Sequence, residues 1–449
     1  MILRIASPRH ETQVPPLIPA TISDGFLLAL ESLMRRSGQG HHLAVTALEL
    51  EAAPDPGLLR RTAAAIGHRY PLLHARMVRS PRRFEAAWHP GPPAPVPLHV
   101  HPPVESPDEL ARELLNGRSI DIHRPGPNLH LHAVPRVDGR FTLLLLWPHA
   151  LLDAVGIEKL VASLDGEPGG ELHGESSSVD GSPGQLWKEA QPVIHEMRTF
   201  PAWRVRSLRR RNPGRSCIEV LRFDRGQSAT IRSTMAAAAG ELLLLPYFAA
   251  VSARAVGAVI DRRHPDEQSA ILLSLPVQRV SDPARRPLFQ NHMTAWSLLL
   301  TPDELAELGP AAKALYRKYA DFLRRRLPRS MEALMRLMQR CPSRLYLKPA
   351  AHYLRGEICS LFHSHTGRFA RGLDEVLGRR LINGYHIPTV SSPPGIGIFF
   401  SEHDERLTCT LSWKENTLSG PELALLKQRL LADLGLEATP PDPSSPEAL

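Results

Sequence analysis

The sequence predicts an α/β protein of two lobes, each a mixed β-sheet flanked by helices. Three observations lead there. From residue 42 to residue 164, short apolar runs of strand length alternate with longer stretches of helical periodicity. Residues 165–185 then turn to Gly, Ser, Glu, Asp and Pro, with Gly169-Gly170 and Ser176-Ser177-Ser178, the composition of an exposed linker. After that stretch the alternation resumes and runs to residue 438. The expected division is an N-terminal lobe over 1–164, a flexible linker over 165–185, a C-terminal lobe over 186–438 and a disordered, Pro- and Ser-rich tail over 439–449.

In chain order, residues 1–20 form a proline-rich irregular arm. Ser23-Asp24 reads as the cap of a helix over 25–36, with Phe26, Leu27, Leu30 and Leu33 at helical spacing. Residues 42–50 alternate as a strand, and the His41-His42 pair at its entry is explained by a loop running into that strand. Leu58, Leu59, Ala63 and Ile66 share one side of a helix over 55–70. A turn, Arg69-Tyr70-Pro71-Leu72-Leu73-His74-Ala75-Arg76, leads into a strand that carries on to Trp88. The run Leu143 to Leu146 with Trp147 is a buried strand closed by Pro148, and residues 151–164 read as a helix.

His149 therefore sits where a strand ends and a helix begins, at the rim of a sheet, where substrates commonly bind in α/β architectures. Asp153, four residues on, can stand one turn away and help fix the imidazole. A histidine titrating near neutrality can take a proton from a hydroxyl, amine or thiol while that group attacks a carbonyl. No Ser or Cys follows in a nucleophile-elbow pattern, so the attacking group would come from the substrate. The His-x-x-x-Asp spacing is short, and a rim histidine with no catalytic part has the same local pattern.

In the second half, Arg204, Arg206, Arg209, Arg210 and Arg211 read as a solvated basic face or an anion site. A strand over 218–223, helices over 227–239 and 242–260, and a strand over 270–275 follow. Asn291 precedes the apolar stretch 295–300, and its amide could bind substrate or cap a turn. Thr301-Pro302-Asp303-Glu304 starts helical sequence that persists to about 339, interrupted at Pro328. His363 and His365 share one face of a strand, but no further ligand lies at supporting spacing, so no metal is expected. Residues 383–413 read as turn, strand, turn and strand, and 419–434 as the last helix.

Pro148-His149-Ala150-Leu151-Leu152-Asp153-Ala154, preceded by Pro125-Gly126-Pro127, Leu129-His130-Leu131-His132 and Asp138-Gly139-Arg140, resembles the acyltransferase superfamily defined by His-His-x-x-x-Asp-Gly. Its members include condensation domains of nonribosomal peptide synthetases, chloramphenicol acetyltransferase, wax-ester/diacylglycerol acyltransferases and polyketide-associated acyltransferases. The turn at Arg69 to Arg76 is a second, independent point of similarity. The resemblance implies two chloramphenicol-acetyltransferase-like lobes in a V around a channel, with His149 as catalytic base and Asp153 as a brace. It also implies that Arg279, in Pro276-Val277-Gln278-Arg279, pairs with Asp153, and that Asn291 contacts substrate. Two positions depart from the pattern: Pro148 replaces the first His and Ala154 the Gly, whose added methyl narrows the channel or shifts the helix start. The Asp-Phe-Gly-Trp-type motif of several relatives is absent.

What the resemblance implies for function is an acyltransferase with no permanently bound cofactor. Acyl-CoA, or an acyl group on the phosphopantetheine of an acyl carrier protein, would be the co-substrate, and a small-molecule alcohol or amine the acceptor. A CoA-dependent, ester-forming enzyme comes first, a stand-alone condensation-type enzyme second, and an inactive relative acting as a binding module third. The 449 residues suffice for two lobes with substantial cores. No run of 18 apolar residues points to a membrane span and no signal peptide is evident, so the expected location is cytoplasmic. The four scattered cysteines form no C-x-x-C pair. A formal charge of +8 suits the phosphates of CoA or an acidic carrier protein and leaves peripheral membrane contact open; nucleic acid is not an expected partner.

Overall fold

The computed structural model describes residues 16–79, 85–166, 173–174, 179–241, 243–279 and 286–436. The expected tail and about half of the expected linker (167–172 and 175–178) lie outside these residues, and the helix Pro183–Met197 begins inside the expected linker. The described residues contain fifteen strands in three sheets, numbered here along the chain.

A small sheet joins β1 (Ile18–Pro19), β3 (Arg76–Arg79) and β4 (Ala86–His89). The first large sheet holds β2 (Leu43–Leu50), β5 (Leu98–Val100), β6 (His130–Pro135), β7 (Phe141–Pro148), β12 (Glu375–Val376) and β13 (Arg379–Pro388), in the order β12-β13-β2-β7-β6-β5. The second holds β8 (Ser216–Arg222), β9 (Ile271–Gln278), β10 (Met293–Leu300), β11 (Leu361–Arg368), β14 (Ile396–His403) and β15 (Arg406–Lys414), in the order β10-β9-β11-β14-β15-β8. Each large sheet has its own core: Leu143 to Trp147 pack with Leu43, Val45 and Leu48 in one, and Phe248, Leu273, Ile398 and Leu411 pack in the other.

β7 is buried along its whole length, which is why residues 143–147 form an unbroken apolar run rather than an alternation. The helix Leu244–Arg263 is long and apolar enough to cross a membrane, but most of it is buried in the second core. Pro246 falls in its first turn, where the missing N–H costs no hydrogen bond.

Several expectations need correction. The first helix runs from Ile22 to Arg36, and its cap is Thr21 rather than Ser23: Thr21 Oγ1 accepts from the Asp24 N–H, and Asp24 Oδ2 accepts from the Thr21 N–H. The strand expected to carry on to Trp88 is a hairpin, with Met77 opposite Trp88. The helical stretch 301–339 breaks at Arg326, whose φ of 55° is left-handed, and Pro328 sits in the first turn of the helix Leu327–Gln339. The boundary at 165–185 does not separate the sheets completely. β13 lies far beyond it yet pairs with β2, Tyr385 opposite Ala47, and so completes the first sheet from the second half of the chain.

Candidate active site

The chain leaves β7 at Pro148 and enters the helix Ala154–Ala162 through a five-residue turn. Asp153 ends that turn as the helix cap: its backbone is extended, and Oδ1 accepts from the Gly156 N–H at 2.8 Å. The helix therefore begins at 154 and not at 151. Gly156 is where a side chain would not fit, since a Cβ there would stand 2.4 Å from the Leu288 carbonyl oxygen.

The turn is clasped by residues 286–292, which lie more than 130 positions further on. The Gln290 N–H donates to the Leu151 carbonyl at 2.7 Å. Asn291 Nδ2 donates to the carbonyls of His149 (3.0 Å) and Ala150 (3.1 Å) and to Asp24 Oδ1 (3.0 Å). The His292 N–H donates to Asp153 Oδ2 at 3.2 Å. From the other side, the His149 N–H donates to the His42 carbonyl at 3.1 Å.

These contacts correct two of the sequence expectations. Asn291 is 0% exposed, its amide hydrogens go to carbonyls and Asp24, and it does not line the cavity beside His149, so it positions the His149 turn. The arginine beside Asp153 is Arg286, at 3.7 Å. Arg279 instead reaches Glu332 (3.6 Å) and Ser23 Oγ (3.2 Å), because it directly follows β9 with its N–H donating to the His292 carbonyl and its side chain turned toward the helices Ile22–Arg36 and Leu327–Gln339.

His149 is part-exposed on the wall of a cavity between the two large sheets. The cavity encloses about 980 Å³, counting its open mouth, and is lined by Trp147, Ala154 and His386 on one side and by Met293, Phe362 and Phe399 on the other. Ala154, where the motif has Gly, is one of the lining residues. The His149 ring packs on Trp147 (centroids 5.4 Å) and stacks on His42 at 5.1 Å with 22° between planes. Its Nδ1 is buried without a hydrogen-bond partner of good geometry, although the carbonyls of His149 and Leu152 favour the protonated ring. Burial outweighs them, with His386 acting in the same direction, and the pKa falls below the ordinary 6.5. His149 is therefore neutral at pH 7 and able to accept a proton.

Sequence reasoning set His42 aside, yet the structure brings it against His149; burial lowers its pKa further, helped by His149 and Lys414. His386 arrives on β13 and is held by Thr46 Oγ1 at Nδ1 and Glu158 Oε1 at Nε2, both at 3.0 Å. His363 and His365 each have a partner of their own, Ser252 Oγ at 2.9 Å and Glu402 at 3.3 Å. Three arginines of the basic run face carboxylates: Arg204 and Arg206 on Glu267, Arg209 on Glu357.

A second cavity, about 1000 Å³, opens beside the first and shares Phe26, Ser274, Ala295 and Phe362 with it. Its far wall is Met331, Leu334, Met335 and Met338 from the helix Leu327–Gln339. Cys359 lies there too, its thiol pushed well up by burial and so unsuited to be a nucleophile.

No family model matches the sequence, and no curated protein does. Solved structures do match in fold. The trichothecene 15-O-acetyltransferase TRI3 of Fusarium sporotrichioides superposes with a TM-score of 0.68 at 13% identity, over 93% of this chain and 94% of that one. The first condensation domain of the CDA synthetase gives 0.62 at 12% identity, over 95% and 98%. Polyketide synthase associated protein 5 from Mycobacterium tuberculosis gives 0.57 at 14% identity, over 93% and 99%. The chain thus shares its fold, over more than nine-tenths of its length, with a solved acetyltransferase and with solved condensation domains.

Proposed function

We propose that this protein transfers an acyl group from a thioester to an alcohol or amine, with His149 as general base. The observation that carries this reading is His149 itself: a neutral imidazole on the wall of the cavity between the sheets, its turn clasped on both sides by hydrogen bonds. In the reaction, the ring takes the acceptor's proton as the acceptor oxygen or nitrogen attacks the thioester carbon. The C–S bond then breaks, and the same proton goes to the departing thiolate. No Ser or Cys side chain bonds the His149 ring among the described residues, which supports direct transfer rather than a covalent acyl-enzyme. Asn291 cannot stabilise the oxyanion, so donors must come from polar groups lining the cavity, such as Ser364.

The adjoining Met- and Leu-walled chamber supports a long apolar acyl group as the cargo. The test is thiol release from acyl-CoAs of increasing length, offered with mixed alcohols and amines. Release that needs an acceptor and grows with chain length is the expected result. Ala295→Phe, at the junction of the two cavities, should cut kcat/KM for the longest chains about 100-fold while sparing acetyl-CoA. Losing the burial of about four methylenes costs about 3 kcal/mol. Equal losses for all lengths would remove the chamber from the reading.

The pH profile gives a separate check. A base works only when unprotonated, and burial lowers the His149 pKa. Activity should therefore be full at pH 7 and fall on acidification with a midpoint below 6.5; a midpoint at or above that value would contradict the assignment. The likeness to condensation domains supports a second donor, an acyl carrier protein. Turnover with a loaded carrier but not with acyl-CoA would select it.

A further inference from the structure

A second group of histidines lies two strands from the channel. β5 and β6 run parallel, with His99 opposite His132, and pairing continues past β5 through the His101 N–H to the Ala133 carbonyl. Alternation along the strands puts His99, His101, His130 and His132 on one face of the sheet. Their rings stack: His99 on His132 at 4.6 Å, His101 on His132 at 5.2 Å and His99 on His130 at 5.5 Å. One ring nitrogen from each of His99, His130 and His132 lies within 4.8 Å of the others.

The hydrogen bonding leaves this cluster incomplete. His132 Nδ1 is 3.0 Å from His101 Nε2, and His130 Nδ1 is 3.4 Å from His99 Nε2. The Nε2 atoms of His130 and His132 are buried without a partner, in side chains that are only 7% and 4% exposed. Buried polar atoms in native proteins are almost always satisfied, so two such nitrogens in adjacent rings point to something that accepts their lone pairs. Outside the cluster, His101 borders a groove carrying Glu105, Glu109 and Glu113, which favours the approach of a cation.

We propose that His99, His130 and His132 bind a divalent transition-metal ion, with His101 orienting His132, and that the ion clamps the edge strand β5 to the first sheet. Three imidazoles without a thiolate or carboxylate suit zinc, nickel or copper and not magnesium or calcium. With His132 Nδ1 donating to His101 Nε2, 3.0 Å away, Nε2 is left for the metal, the usual way a ligating histidine is held. A three-residue edge strand is otherwise fixed on one side only, so a clamp there has a structural use. The site stands apart from His149, since none of the four histidines lines the cavity.

The test uses the full chain stripped with EDTA and titrated with zinc chloride by calorimetry, with melting followed in parallel. The expected result is one saturable equivalent that raises the melting temperature. His99→Ala, at an exposed position where folding is not at stake, should weaken binding at least tenfold and abolish the melting shift. His149→Ala and His68→Ala should leave both unchanged. Absence of a saturable equivalent would overturn the proposal, as would binding indifferent to His99→Ala or binding lost in His149→Ala.

Discussion

His149→Ala should lower acyl transfer by about 10²–10⁴-fold, the range a positioned general base contributes, with the melting temperature unchanged. The fold should tolerate the change because the ring is part-exposed on the cavity wall and its Nδ1 supports no bond in the core. The contacts that hold the turn come from the His149 backbone: its N–H on the His42 carbonyl and its carbonyl under the Asn291 amide, and both survive in alanine. Thiol release by the two proteins under saturating acceptor is the measurement. Retention of more than about a tenth of the wild-type rate would fall outside that range and shift the base to His42, His363 or His386, the other imidazoles on the wall. Loss of release with substrate binding intact is the outcome that separates an enzyme from a binding module of the same fold.

Asp153→Ala acts on the scaffold instead. The carboxylate caps the helix at Gly156, accepts from the His292 N–H and stands 3.7 Å from Arg286, both side chains at most 5% exposed. A helix cap contributes about 1 kcal/mol, and removing one member of a buried ion pair costs about 3–5 kcal/mol. A fall in stability of about 3–5 kcal/mol is therefore expected, read from the midpoint of urea unfolding. Asp153→Asn keeps an oxygen for Gly156 but loses the charge and sets an amide against His292, so it should fall between the wild type and alanine. Activity should drop in both variants, because Asp153 joins the His149 turn to residues 286–292. A loss of under about 1 kcal/mol in Asp153→Ala would mean that the cap alone matters.

Much of this architecture is written in local pattern. The apolar run of 143–147 reads as a buried strand, and Pro148 marks its end and the turn before the next helix. Those features involve neighbours within a few residues, and periodicity and capping preferences act at that range. They were enough to locate His149 and the α/β alternation of both halves.

The tertiary structure decided everything that depends on which distant residues meet. Arg279 and Arg286 are equally plausible partners for a carboxylate as sequence; the direction in which β9 ends sends one to Glu332 and leaves the other beside Asp153. Asn291 has the chemistry of a substrate ligand but lies behind the turn, bonded to Asp24, a residue whose own sequence signal is only that of a cap. His42 reads as a loop residue until the pairing of β2 with β7 lays it on His149. The return of β13 to the first sheet brings His386 to the cavity across a boundary that composition alone would draw as closed. The parallel register of β5 and β6 likewise makes one cluster of histidines spaced some thirty residues apart. Local sequence fixes what each segment is. The energy that selects a partner comes from burial and pairing between segments, which exist only once the sheets have assembled.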